Sequence, residues 1–347
     1  MCETTPFWWP KDQKMYLMEC VCAGPLDVGK GRWGTWSHAE SWNPEYKGHS
    51  YIRIRELATG RIVTNITSSI GFGFGAAFVD YEHGNLWISA TANDRVGHSS
   101  PRPYGPDHSF CGHWECGIWV FNSSDLVTWT RTKTDVDPKL GTPNTDIGRV
   151  YRGAHPVPPN LPPHRYVMAT ESGRPWIVNN NADGDLTHGW ITLSDKQASG
   201  GSHACPSVRY LPSDGYYYTV SDGHVIYLQR SKDLLHWETA SVNFVENSPG
   251  DVLTASSVMA SAAENLRKSH ANLSFPVREK WDHDANDADF CCESWGGASP
   301  SKGAPNGSFV IWGADGQGGS GFHAGPEGFA AIGTSNLTLA QLLQSYF

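Results

Sequence analysis

Short stretches of alternating apolar and polar residues run through the chain, broken by Gly, Pro, Asn and Asp. Two-residue alternation is the strand period, and such punctuation marks turns. The pattern predicts strands over 51–57, 61–66, 77–81, 86–90, 117–122, 147–151, 165–170 and 176–179. It predicts further strands over 207–211, 216–220, 225–229, 309–312 and 329–333. Helical spacing is confined to 257–266 and 337–343. The expected fold class is all-β, built from many short strands.

A repeat organises these strands. Ser123-Ser124-Asp125-Leu126-Val127-Thr128-Trp129 aligns without gaps on Ser231-Lys232-Asp233-Leu234-Leu235-His236-Trp237, both reading S-x-D-L-x-x-W after a strand. A looser copy is Asp185-Leu186-Thr187-His188-Gly189-Trp190, and degenerate copies begin at Glu56 and at Ser335. Five marks in 347 residues give about 69 residues per unit, enough for the four strands and loops of one propeller blade. The Asp-Leu turn is expected to join the third and fourth strands of a blade. Leu and Trp would bury between blades while Asp bonds its own turn backbone. The reading is one five-bladed β-propeller over 1–347. In it, 1–50 helps to close the ring, and 246–285 is an insert between blades four and five.

Composition narrows the class. No window approaches 18 consecutive apolar residues, so a membrane-spanning helix is not expected. A net charge of −9 without a Lys/Arg cluster disfavours nucleic acid and acidic membranes as partners. The eight Cys are spaced C-x-C, C-x4-C and C-C, unlike a zinc ribbon. Cys111 and Cys116 bound a loop that a disulfide would close. With N-x-S/T sequons at Asn65, Asn122, Asn272, Asn306 and Asn336, the cysteines point to a secreted glycoprotein with disulfides. The N-terminus has no basic and apolar signal pattern, so the secreted reading expects a signal removed beforehand.

The S-x-D-L-x-x-W turns resemble those of the five-bladed propeller glycosidases, glycoside hydrolase families 43, 32, 62, 68, 117 and 130. A second likeness is His203-Ala204-Cys205-Pro206-Ser207-Val208-Arg209-Tyr210 followed by Asp214-Gly215-Tyr216-Tyr217-Tyr218. It matches that group's inner strand, D-G turn and aromatic second strand. A third is Asn286-Asp287-Ala288-Asp289-Phe290 with Phe309-Val310-Ile311-Trp312, similar to the last blade of propellers related to families 43 and 117. Together the likenesses cover about 70–347. The chain departs from family 32 in lacking the W-M-N-D-P-N-G and R-D-P motifs. It also carries Ala204 where that family has Glu before Cys-Pro.

The resemblance implies a glycoside hydrolase acting at the end of an oligo- or polysaccharide, with carboxylates at the ends of inner strands. Hydrolysis needs one carboxyl to protonate the leaving oxygen and another to activate water or attack. Asp146 and Asp287, each opening an inner strand, are the base candidates. Glu171, at a strand end, and His203, near the position where family 32 supplies its acid, are the acid candidates. Asp80, ending an apolar run, is the candidate for orienting or tuning. Asp289 competes with Asp287, and turn capping competes for Asp80 and Asp146. His38, Glu40, Trp114, His224 and His323 are candidate sugar contacts, since aromatic faces stack on pyranose rings. No cofactor is expected, although fifteen His leave room for a metal ion. The alternatives are a non-catalytic carbohydrate-binding propeller and a His-rich or metal-assisted lyase or transferase.

Overall fold

The computed structural model describes residues 4–21, 51–66, 71–93, 117–137, 145–152, 154–170, 175–193, 204–222, 226–240, 285–291, 308–314, 329–335 and 338–347. They form an all-β, propeller-like structure. The first sheet has the order β1 (Thr4–Trp9), β2 (Lys14–Val21), β3 (Tyr51–Glu56), β4 (Ile62–Ile66). A second meander runs β5 (Gly71–Asp80), β6 (Asn85–Asn93), β7 (Ile118–Ser123), β8 (Thr130–Lys133). A third runs β9 (Thr145–Arg149), β10 (Tyr166–Thr170), β11 (Ile177–Asn179), β12 (Trp190–Thr192). One parallel pair, Gly75 with Thr145, joins these two meanders into an eight-stranded sheet. The next sheet is β13 (Ala204–Leu211), β14 (Tyr216–Asp222), β15 (Ile226–Ser231), β16 (Glu238–Thr239). The last is β17 (Ala285–Cys291), β18 (Ser308–Ala314), β19 (Phe329–Ser335), followed by helix α1 (Leu339–Gln344). The described strands thus fall into four hydrogen-bonded sheets rather than five separate ones.

The strand that opens each meander lies innermost. β1 packs against β5, β5 against β9, β9 against β13, β13 against β17, and β17 returns to β1. Apolar layers fill the gaps between meanders. Phe7, Trp9 and Ile54 meet Val79, Ile88 and Phe121. Phe78, Trp87 and Val120 meet Ile147, Met168 and Ile177. Val150, Val167 and Trp176 meet Val208, Tyr210 and Leu234. Inner and middle strands are therefore buried on both faces, as in β10, while the outermost, such as β8 and β16, are largely exposed.

The repeated turns take the expected place, between β7 and β8, β11 and β12, and β15 and β16. Asp125 accepts from the backbone N–H groups of Val127 and Thr128 at 2.8 and 2.7 Å, which holds its pKa down to about 2. Asp233 repeats this with Leu235 and His236 at 3.0 and 2.8 Å. Leu126 and Leu234 sit at φ 65° and 59°, a left-handed conformation that costs a side chain roughly 1 kcal/mol. The cost is offset because both leucines plug the inter-meander core at 2% and 0% exposure. The next Trp packs on the same core: Trp129, Trp190 and Trp237, each at the start of a fourth strand, are partly buried against it. The predicted helix over 337–343 corresponds to α1, capped by Thr338 and Gln341 in a capping box. The predicted helix over 257–266 lies outside the described residues.

Candidate active site

Side chains set the relative heights of the inner strands. The Ala77 N–H donates to Thr5 Oγ1 at 3.2 Å, linking β5 to β1. The Val208 N–H donates to Asp146 Oδ2 at 2.6 Å, linking β13 to β9. With the Gly75–Thr145 pair, these bonds put Thr5, Ala76, Asp146 and Ser207 on one level. The Ala76 side chain has no oxygen to accept with. There the two backbones pair directly, which explains why the second and third meanders share a sheet.

Just before this level, three inner strands carry the same one-residue bulge. β5 shifts register between Gly73 and Ala76, β13 between Ala204 and Ser207, and β17 between Asn286 and Asp289. Bulges bend a strand and re-aim its side chains, and they concentrate at barrel rims and beside active sites. The shared bulge aligns Asp289 with Ser207 and Ala76, and it places Asp287 inside the bulge itself. On the third meander, β10 ends at Thr170 opposite Thr145, at this same end. Gly75 serves the bulge: a Cβ there would lie 1.8 Å from the Ser89 carbonyl oxygen.

Asp146 opens β9 as expected, but it caps no turn. It is 1% exposed. Its Oδ2 also accepts from Arg209 Nη1 at 2.8 Å, so a buried carboxylate clamps two neighbouring inner strands. Gly148 lets them close further, since a Cβ there would meet the Val208 carbonyl oxygen at 2.7 Å. A general base must reach a water or hydroxyl proton. The Val208 and Arg209 donors to Asp146 both meet Oδ2.

Asp80 does not join this group. It ends β5 four residues beyond Ala76, about 13 Å further along the strand, toward the opposite end of the ring. It is fully buried. Its Oδ2 accepts from Tyr166 Oη at 2.6 Å and His83 Nδ1 at 2.9 Å, with Arg149 Nη1 at 3.9 Å. The register thus sets Asp80 apart from Asp146 along the inner strands. Asp287 lies on described backbone only. Glu171, His203, His38, Glu40, Trp114, His224 and His323 lie outside the described residues. Among the described residues no group of three His, Cys, Asp or Glu side chains is arranged to hold a metal ion.

The opposite end holds a second polar cluster that sequence reading missed, since nothing in a Pro-rich loop marks a histidine as buried. His164, 4% exposed, bonds the Pro162 carbonyl through Nδ1 at 2.7 Å. Its Nε2 therefore accepts from Tyr217 Oη at 2.5 Å, with Arg152 Nη2 at 2.9 Å. Burial lowers its pKa to about 4, with Arg152 adding to the effect against the Pro162 bond. The unfolded histidine titrates near 6.5, so the unfolded chain binds more protons between those values. His164 should thus contribute about 3 kcal/mol above pH 6.5, lost progressively toward pH 4. Urea unfolding across this range should show wild type losing that much more than His164→Gln; parallel curves would refute it.

No family model matches the chain, and no curated protein matches it either. Solved structures do. An α-L-arabinofuranosidase from Podospora anserina is 8% identical, with 97% of this chain and 91% of that one covered at a TM-score of 0.47. A family 62 α-L-arabinofuranosidase catalytic domain from Coprinopsis cinerea is 6% identical, covering 96% and 90% at 0.49. A family 43 endo-arabinanase from Bacillus licheniformis is 10% identical, covering 95% and 92% at 0.43.

Proposed function

We propose that the chain is a glycoside hydrolase on a five-bladed propeller, with its active site at the bulged end of the inner strands. The five-blade reading takes the eight-stranded sheet as two blades, because a single parallel pair joins two complete four-stranded meanders. The observation that carries the function is the bulge that β5, β13 and β17 share at one end of the inner strands. Asp287 lies within the β17 bulge. Glu171 is the next residue in the chain after Thr170, and His203 immediately precedes β13. Asp287 is then the base that activates water or attacks, and Glu171 or His203 is the acid that protonates the leaving oxygen. Asp146, clamped by Val208 and Arg209, is the alternative base in this reading. His38, Glu40, Trp114, His224 and His323 remain candidate sugar contacts in this reading. Secretion is proposed with it, supported by the sequons and by the disulfide-bonded state of Cys291.

The test is reducing-end release from a panel of plant and algal glycans, arabinan included. Asp287→Asn should lower release by about 10²–10⁴-fold with an unchanged unfolding midpoint. Release at the wild-type rate would remove Asp287 from the chemistry. Binding on a glycan array without any release would replace the hydrolase with a carbohydrate-binding protein.

A further inference from the structure

Of the five N-x-S/T sequons, Asn65 and Asn122 lie on described residues, whereas Asn272, Asn306 and Asn336 lie outside them. Sequence treats Asn65 and Asn122 alike, and the fold does not. A glycan takes the place of one hydrogen on the Asn side-chain nitrogen, and its bulk needs open solvent beyond that atom. Asn65 stands on β4, the outermost strand of the first sheet. Its neighbour Ile66 is buried in the core with Ile52 and Ile54, so Asn65 points to the opposite face. On that face the cross-strand row Glu19, Arg53, Asn65 runs outward. Exposure rises along it, from 1% at Glu19 and 11% at Arg53 to an exposed Asn65. Thr67 completes the sequon.

Asn122 stands on β7, a third strand paired on both sides. It lies opposite Trp87 of β6 and Thr130 of β8. Its Nδ2 is shut off from solvent. A sugar ring bonded to that nitrogen would have to displace the side chains packed around it.

We propose that Asn65 is a site of N-linked glycan attachment and that folded molecules leave Asn122 bare. The proposal rests on the secreted reading. The Asn65 Nδ2 bonds the anomeric carbon of a lipid-pyrophosphate-linked oligosaccharide. The anomeric carbon–oxygen bond breaks, and the lipid pyrophosphate leaves as the amide gives up one proton. No oxidant or reductant takes part. Three strand spacings, about 14 Å, separate β4 from β1, so the glycan is attached on the outer rim, away from the inner strands.

The test uses the full chain, directed by an added leader through a eukaryotic secretory host. Peptide N-glycosidase in heavy-oxygen water converts each glycan-bearing Asn to a mass-tagged Asp, which peptide mapping reads. Tagging at Asn65 should exceed tagging at Asn122 by at least about tenfold. Asn65→Gln, which deletes the acceptor, and Thr67→Ala, which breaks the sequon, should each remove the Asn65 glycan. Asn122→Gln should leave the glycan pattern of the secreted protein unchanged. An untagged Asn65 in secreted, folded wild type would overturn the site. Tagging of Asn122 to the level of Asn65 would overturn the argument from burial. The leader supplies entry, so this map decides the site whatever route the natural chain takes. Thiol labelling of the natural protein, unfolded but unreduced, tests secretion separately: a free Cys291 in place of the disulfide-bonded one would overturn that reading and leave the site standing.

Discussion

Replacing Glu19 by alanine is expected to cost about 3–5 kcal/mol of stability, read by urea unfolding at neutral pH. Glu19 lies on β2 directly opposite Arg53 on β3. Its Oε2 accepts from Arg53 Nε at 2.6 Å and Arg55 Nε at 3.0 Å. Glu19 and Arg55 are each 1% exposed, and Arg53 is 11% exposed. Burial alone would raise the Glu19 pKa, but the two guanidinium groups outweigh it and hold the carboxyl below its ordinary range. Such a carboxylate stabilises the fold above its unfolded pKa, and the contribution is lost as pH falls through the lower folded value. Removing it leaves two inward-facing arginines without the carboxylate that balances them, and that imbalance sets the size of the loss. Arg55 keeps its bond to the Gly60 carbonyl at 2.7 Å, which orients the group but does not balance its charge. Converting Glu19, Arg53 and Arg55 together to apolar residues of similar volume should recover most of the loss. A Glu19→Ala penalty under about 1 kcal/mol would show that water reaches the pair.

This triad also shows where sequence reading reaches its limit. The all-β class and the repeated turns were legible, because S-x-D-L-x-x-W carries its own physics: Asp125 and Asp233 satisfy the turn, and Leu126 and Leu234 anchor it. The first two strands were not. Pro6 reads as a strand breaker, yet β1 is an innermost strand whose free edge needs no N–H donor there. In β2, Tyr16, Leu17, Met18 and Glu19 are all buried, so the two-residue alternation that betrays a half-exposed strand is absent. Outer strands such as β16 are too short to show a period. The bulged starts were missed for a third reason. An extra residue breaks alternation just where Gly71, Gly73 and Pro206 already interrupt the strand pattern. Asp146 and Asp287 could be placed at strand starts from sequence, but their heights in the ring could not. Height depends on which side chain bonds the next strand's backbone, and that contact spans 62 residues between Asp146 and Val208.

Asp80 gives the second large effect, and it separates structure from chemistry. Asp80→Ala is expected to cost about 3–5 kcal/mol in the same unfolding assay. Any glycan cleavage per folded molecule should stay within about threefold of wild type, since no transition-state contact is removed. The cost has three sources. Tyr166, buried and on β10, donates its hydroxyl to Asp80; burial, then the Asp80 charge, push that hydroxyl's pKa well up, so it remains a donor at any ordinary pH. His83 donates from the β5–β6 turn. Arg149, 2% exposed, stacks 4.4 Å from the Tyr166 ring and pairs with the half-exposed Glu82, so Asp80 is its only fully buried counter-charge among the described residues. Asp80→Asn should fall between wild type and alanine, because an amide can still accept from Tyr166 but cannot balance Arg149. If Asp80 belonged to the reaction, asparagine would abolish cleavage while leaving the unfolding midpoint in place. That outcome would return Asp80 to the site and overturn the strand register that separates it from Asp146.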